Sequence, residues 1–204
     1  DAKFYGLMED VYKDAGYNLL GNADQGIRDM STNKNVTSLS DFKGQKIRTM
    51  ENPYHMAFWK SLKANPTPMT FSEVYIGLQQ GTIDAQENPY EVIVSSRLYE
   101  QQDYVVETNH LPHLISLIVS DEFFEGLSKK EQNVITEASE IAKKYAREQS
   151  DTRIAEKIKV IEESGTKIVP MSDELRQEVR DASKGVTEEI RHSVSKDIVD
   201  AYVE

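Results

Sequence analysis

The chain has 204 residues, 38% of them hydrophobic and 29% charged, which suits one sizeable core or two small lobes and excludes a disordered chain. Thirty-five acids against 24 Lys and Arg give a formal charge of −11, so a phosphate backbone or an anionic membrane surface meets net repulsion, and nucleic acid is not an expected partner. Without cysteine there is no disulfide, thiol nucleophile or thiolate zinc site, while the compartment stays open.

No apolar run approaches the roughly 18 residues of a membrane span, and Asp1 opens a polar, helix-like segment, so any export signal is expected to have been removed or to lie upstream. The acidity is uneven. Residues 126–204 hold 17 acids and 14 bases and carry −3, which leaves −8 on residues 1–125. An anion bound by the first part is therefore held by local geometry against the global field.

Phe4, Leu7, Met8, Val11 and Tyr12 recur at spacings of three and four, which predicts an amphipathic helix over 1–14 ended by Gly16. Tyr17 to Leu20 reads as a short strand and Gly21 to Gly26 as a polar loop whose glycines lack the third member of a dinucleotide fingerprint. Arg28 follows, and Thr32 to Ser40 reads as an exposed connection. Lys46 to Thr49 is a strand candidate, continued by a helix with Tyr54, Ala57, Phe58 and Leu62 on one face and Pro53 at its start, where a missing N–H costs little. Asn65-Pro66-Thr67-Pro68 breaks the helical pattern. Thr70 with Glu73 predicts a capping box for a helix that ends at Gly81, Ile83 to Ala85 a short buried strand, and Asn88-Pro89 a new helix start.

Two strands are expected at Tyr104 to Glu107 and His113 to Ser120, the second apolar enough to lie in a sheet covered on both faces. Ser128 with Glu131 opens a helical segment that continues to about Gly165. Its stripes Val134, Ala138, Ile141, Tyr145 and then Ile154, Ile158, Ile161 predict a kink or break near Gln149 to Asp151. Lys167 to Val169 is a last strand. Leu175, Val179, Ala182, Val186 and Ile190 mark a long helix from Ser172, and Ser195 to Tyr202 a short one. Alternating strands and helices give the α/β class with parallel strands.

Arg48, at a strand end before a polar loop, can grip a carboxylate through two parallel hydrogen bonds, or it is a surface arginine paired with one of many acids. Asn88 offers one acceptor and two donors to a ligand, or is an N-cap before Pro89. Phe71 and Tyr75 wall a pocket or fill a core, and Glu51, Glu73 and Glu87 supply a possible acid pair, with Glu73 already used by its capping box. His55, His110, His113 and His192 have no metal-ligand spacing, and no nucleophile or phosphate-loop motif occurs.

Several of these pieces stand in an order that resembles a known family. Gly26-Ile27-Arg28, Asp41 to Met50 with its Lys-Ile-Arg core, Ala64 to Tyr75, Leu78-Gln79-Gln80-Gly81 and Ile83 to Pro89 are similar to the extracytoplasmic solute-binding proteins of tripartite ATP-independent periplasmic (TRAP) transporters, the DctP-like family. The resemblance implies a periplasmic α/β protein of the type II periplasmic-binding-protein architecture. Its two lobes close over a small organic acid, a C4-dicarboxylate or a sugar acid, and deliver it to the TRAP membrane permease, with no cofactor or metal.

By the same matching, Arg48 holds the ligand carboxylate, Arg28 is a second basic contact, Asn88 a polar contact that keeps its N-cap role, and Phe71 a wall; Glu51 falls where members vary with ligand. Ala85 stands where the family usually has Gly. Family members also carry a longer stretch before the point where this sequence begins. The implied organisation is a remnant of the first lobe over 1–25, the ligand-gripping second lobe over 26–112, and a crossover strand with C-terminal helices over 113–204. A lyase or isomerase of organic acids with Glu51 or Glu87 as base and Arg48 as anchor is the alternative from another class. A ligand-sensing module is a third.

Overall fold

A computed structural model describes residues 2–203; Asp1 and Glu204, the ends of the expected first helix and last segment, lie outside the described residues. The elements in order are α1 (Ala2–Asp14), β1 (Tyr17–Thr32), β2 (Lys46–Thr49), α2 (Pro53–Ser61), β3 (Asn65–Pro68), α3 (Val74–Gln79), β4 (Ala85–Asn88), α4 (Tyr90–Ser95), β5 (Tyr104–Ser120), α5 (Asp121–Glu125), α6 (Lys129–Glu163), β6 (Lys167–Pro170), α7 (Asp173–Ser193) and α8 (Lys196–Val203). The strands form one sheet in the order β3-β2-β4-β1-β5-β6. It is mixed and not purely parallel: β2 runs parallel to β3 and β4, β5 runs parallel to β6, and β1 meets β4 antiparallel.

The chain divides into two compact units, one made of residues 26–113 and 152–190 and the other of the segment up to Gln25, Leu114–Asp151 and the segment from Arg191. In the first unit, side-chain alternation along the strands sends apolar residues to both sheet faces. Met30, Ile47, Ala85 and Val106 pack with Phe42, Trp59 and Leu175 of the flanking helices and turns, while Val105 joins Val74, Leu78, Ile93 and Ile161 in a second cluster. The stripe Ile154, Ile158, Ile161 of α6 and the stripe of α7 behave as their spacing predicts.

In the other unit α1 lies against α8, with the Phe4 and Tyr202 rings 5.4 Å apart. The Tyr12 hydroxyl and the Asn22 amide both donate to Ser116 Oγ at the end of β5. Here two sequence expectations are corrected. The His113 to Ser120 run is not covered on both faces: Leu114, Ile115, Leu117 and Ile118 are exposed. Val134, Ile141 and Tyr145 are exposed as well, at 58%, 70% and 63%, and Ser139 is the buried face of that part of α6. Apolarity and period identify a stripe but do not say which element covers it.

Other differences have local causes. Residues 21–26 are not a loop but part of a continuous β1, bent at Gly21 and Gly26 with positive φ; a Cβ on Gly26 would sit 3.2 Å from Ile154 Cδ1. Likewise β5 is unbroken through Pro112 and through Asn109, whose φ is +45°. Asn65-Pro66-Thr67-Pro68 is an edge strand, where two prolines lose no ladder bond to an outer neighbour. The buried strand expected at Ile83 to Ala85 falls at Ala85–Asn88. Thr70 does not cap through its side chain; its hydroxyl meets the Glu73 carboxylate, and a 3-10 turn at Phe71–Glu73 precedes α3. The Ser128–Glu131 box is formed in both directions, and α6 then runs its 35 residues without the expected break. Val36, within the connection expected to be exposed, is buried.

Candidate functional site

The site lies in the unit of residues 26–113 and 152–190, where three adjacent strands bring their polar residues together. Register sets the geometry: Arg48 of β2 is opposite Gln86 of β4, while Met30 and Asp29 of β1 are opposite Glu87 and Asn88. Alternation therefore puts Arg48, Gln86, Asn88 and Asp29 on one face and Glu87 and Arg28 on the other. β4 is Ala-Gln-Glu-Asn, four buried residues of which three are polar. Such a strand inside a sheet needs partners for every polar group.

Glu87 finds most of them in Arg28. The Arg28 Nε donates to Glu87 Oε2 at 2.6 Å and its Nη2 to Oε1 at 3.0 Å and to the Glu87 carbonyl at 2.6 Å. Nη2 also donates to Asn88 Oδ1 at 2.8 Å, and Nη1 lies 2.9 Å from His113 Nδ1. His110 Nε2 sits 3.1 Å from Glu87 Oε2 and His55 Nδ1 3.6 Å from Oε1. Burial opposes the Glu87 charge, but hydrogen bonds from His110, His55 and Arg28 outweigh it and hold this carboxyl far below the usual carboxylate range. A carboxylate held so low is a weak base. Desolvation pushes both His110 and His113 below the usual histidine value, and Arg28 adds to this.

Asn88 is the last residue of β4. Its Nδ2 donates to Gln86 Oε1 at 2.7 Å; Gln86 Nε2 donates to Ser31 Oγ at 2.7 Å, and Ser31 donates to Gln102 Oε1. The expected N-cap role is not there: α4 begins at Tyr90 with Pro89 as its cap residue, and the Asn88 side chain is spent on the sheet. One N–H of Asn88 has no printed use in this relay of amides.

Arg48 differs from Arg28. It is 4% exposed, and both its Nε and one Nη2 hydrogen point at a single acceptor, the Met69 carbonyl, at 2.9 and 2.7 Å. Of the five N–H donors of a guanidinium, three are left without an acceptor among the described residues. Burial lowers the Arg48 pKa, with Glu87 raising it and Arg28 lowering it, and an arginine stays protonated regardless. The Phe71 ring, 42% exposed, lies 5.6 Å from the Arg48 guanidinium carbon. Glu51, two residues past β2, is exposed and makes no side-chain contact among those described.

The structure thus brings Arg48 and Phe71 together, and Arg28 and Asn88 together, while Glu51 stands apart. Sequence reasoning missed Gln86 and gave His55, His110 and His113 no role beyond excluding a metal. The available signal was a buried strand made of polar residues. Among the described residues no cluster of His, Asp and Glu could hold a metal ion, and no helix is long and apolar enough to cross a membrane.

Comparison with known proteins agrees with this layout. The family model DctP, described as bacterial extracellular solute-binding protein, family 7, matches residues 3–193. The ectoine-binding periplasmic protein TeaA of Halomonas elongata is 35% identical over 170 residues, 83% of this chain and 48% of that protein. The 2,3-diketo-L-gulonate-binding periplasmic protein YiaO of Escherichia coli K12 is 33% identical over 173 residues, 81% of this chain and 53% of that protein. A TRAP periplasmic solute-binding protein of Haemophilus influenzae, solved with bound L-gulonate, superposes with a TM-score of 0.91 at 28% identity, covering 97% of this chain and 66% of that one. The chain spans about half the length of the curated relatives it matches.

Proposed function

Because the chain belongs to the DctP family of bacterial extracellular solute-binding proteins, we propose that it is the ligand-gripping part of a periplasmic TRAP solute-binding component that captures a small organic acid and delivers it to a membrane permease. The observation that carries this reading is the unsatisfied edge of the Arg48 guanidinium beside an exposed aromatic ring. Three N–H groups in one plane suit a carboxylate bound in bidentate fashion, and the Phe71 ring suits the carbon chain of the same guest.

In this proposal residues 26–112 are the gripping lobe. Arg28 adds positive charge behind the site, Asn88 offers its remaining N–H to a hydroxyl or carboxylate, and Glu51 contributes a ligand-dependent contact. The sugar acids named for two relatives favour that substrate class, with C4-dicarboxylates as the other candidates.

Isothermal titration of an organic-acid panel, on the protein carrying the preceding stretch of its lobe, tests the assignment. Arg48→Ala is expected to weaken binding of the best acid at least 100-fold, the loss of about 3 kcal/mol from a desolvated charged pair. Unchanged affinity in that variant would falsify the clamp.

A further inference from the structure

On the sheet face that carries Arg28 and Glu87, a cavity of about 240 Å³ opens between α2, α7 and β5. Its walls are rings: Tyr54, Phe58 and Trp59 from α2 and His110 from β5, with Val186 and Ile190 of α7 opposite. The ring geometry is organised. His110 stacks on Phe58 at 5.3 Å and 12°, and Trp59 stands edge-on to both, at 5.0 and 5.1 Å. Trp59 is fully buried, yet its indole N–H has no acceptor among the described residues. A buried donor left unmatched costs free energy, so an acceptor is called for at this position.

We propose that this cavity is a second binding site, for a small, neutral, single-ring aromatic molecule that carries a hydrogen-bond acceptor. The volume selects the size, since an apolar cavity of about 150 Å³ takes one benzene ring and drug-sized ligands need about 300 Å³ or more. The lining selects the shape and charge: planar walls favour a stacked or edge-on ring, and no Asp, Glu, Lys or Arg contributes to the walls. The indole N–H selects the acceptor. This inference does not rest on the Arg48 clamp, which lies on the other face of the sheet. It does touch Arg28 indirectly, because His110 and His55, both in the cavity wall, are the imidazoles that flank Glu87.

Acetophenone, a planar ring with one carbonyl acceptor and no donor, is the probe, and ethylbenzene its apolar counterpart. Trp59 is the single tryptophan, so its emission reports directly on the cavity. Titrating the 204-residue chain is expected to give a saturable change in Trp59 emission together with shifts of the His55 and His110 imidazole signals in NMR spectra, while His192, which does not line the cavity, stays in place. Ethylbenzene is expected to bind about tenfold more weakly, the worth of one hydrogen bond.

Val186→Trp fills the cavity and is expected to abolish saturation; Ser183→Leu, a smaller change at the same wall, is expected to weaken binding if the larger variant does not fold. Linear, unsaturable quenching, equal affinity for the two probes, or undiminished binding in both variants overturns the proposal.

Discussion

Asp29 is the group whose removal tests the physical account of this sheet most directly. It is buried beside Asn88 in register, accepts a hydrogen bond from the Asn109 N–H at 2.8 Å, and faces Glu107 and the Tyr90 hydroxyl, with Arg176 as the opposing charge. Burial pushes its carboxyl up to about 7 from 3.8; the Asn109 bond and Arg176 pull it down and Glu107 pushes it further up. Because the folded value is above the unfolded one, the folded state binds more protons across that window, so stability falls as pH rises from about 4 to about 7 and is level beyond.

At 1.36 kcal/mol per pH unit the penalty at pH 8 has an upper bound of roughly 4 kcal/mol, and relaxation of the surroundings brings the expected value to about 2 to 4. Asp29→Asn keeps an oxygen for Asn109 and removes the charge. Urea denaturation at pH 4.5 and pH 8 is the assay. The variant is expected to match the parent chain at the lower pH and to be more stable by about 2 to 4 kcal/mol at the higher one. A difference that does not change with pH, or a variant less stable at pH 8, refutes the reasoning.

Glu87→Gln leaves the Arg28 charge buried without its partner, and a loss of about 3 to 5 kcal/mol is expected from urea denaturation near neutral pH, whereas the paired change Arg28→Met with Glu87→Met recovers much of it. Since the Glu87 carboxyl is held low, the stability it contributes is present above about pH 4.5 and is lost as pH falls toward its folded value, which acid titration of the parent and Glu87→Gln chains will show as curves converging at low pH. Ser128→Ala removes one half of the capping box at the start of α6 and is expected to cost about 0.5 to 1 kcal/mol by thermal denaturation. Ile141→Lys and Tyr145→Lys, on the exposed stripe of α6, are expected to leave stability of this chain within about 0.5 kcal/mol while reducing self-association in sedimentation.

What was legible in the sequence is what local chemistry decides. Pro53 marks the first residue of α2, Ser128 and Glu131 mark the start of α6, and the Ile154 to Ile161 stripe packs as its period requires. The failures share a cause as well. Asn88-Pro89 carries a capping signal, but Asn88 is already the end of β4 and its amide is claimed by Arg28, 60 positions away. The glycines at 21 and 26 read as a loop because the sequence does not show the sheet neighbours that keep β1 extended through them. No local pattern links Arg28 to Glu87 or Glu87 to His110. The resemblance, and not periodicity, supplied Arg48 and Phe71 as a pair, and the structure puts the Phe71 ring against that guanidinium.

The contrast between the two arginines follows from where the strands place acceptors. Arg28 faces Glu87, the Glu87 carbonyl, Asn88 and His113, so four of its five N–H donors are engaged and at most one is left for anything else. Arg48, across β4, meets one carbonyl and keeps three. An arginine with satisfied donors fixes its neighbours: it orients Asn88 so that the Asn88 oxygen is taken and only an N–H can face a guest. Its charge, largely cancelled by Glu87, attracts an anion weakly. The net pull on a carboxylate must therefore come from Arg48, whose own fields from Glu87 and Arg28 oppose each other. That division explains how a chain of net charge −11 can present an anion site: one buried guanidinium is neutralised to hold the frame, and the other is left uncompensated at its open edge.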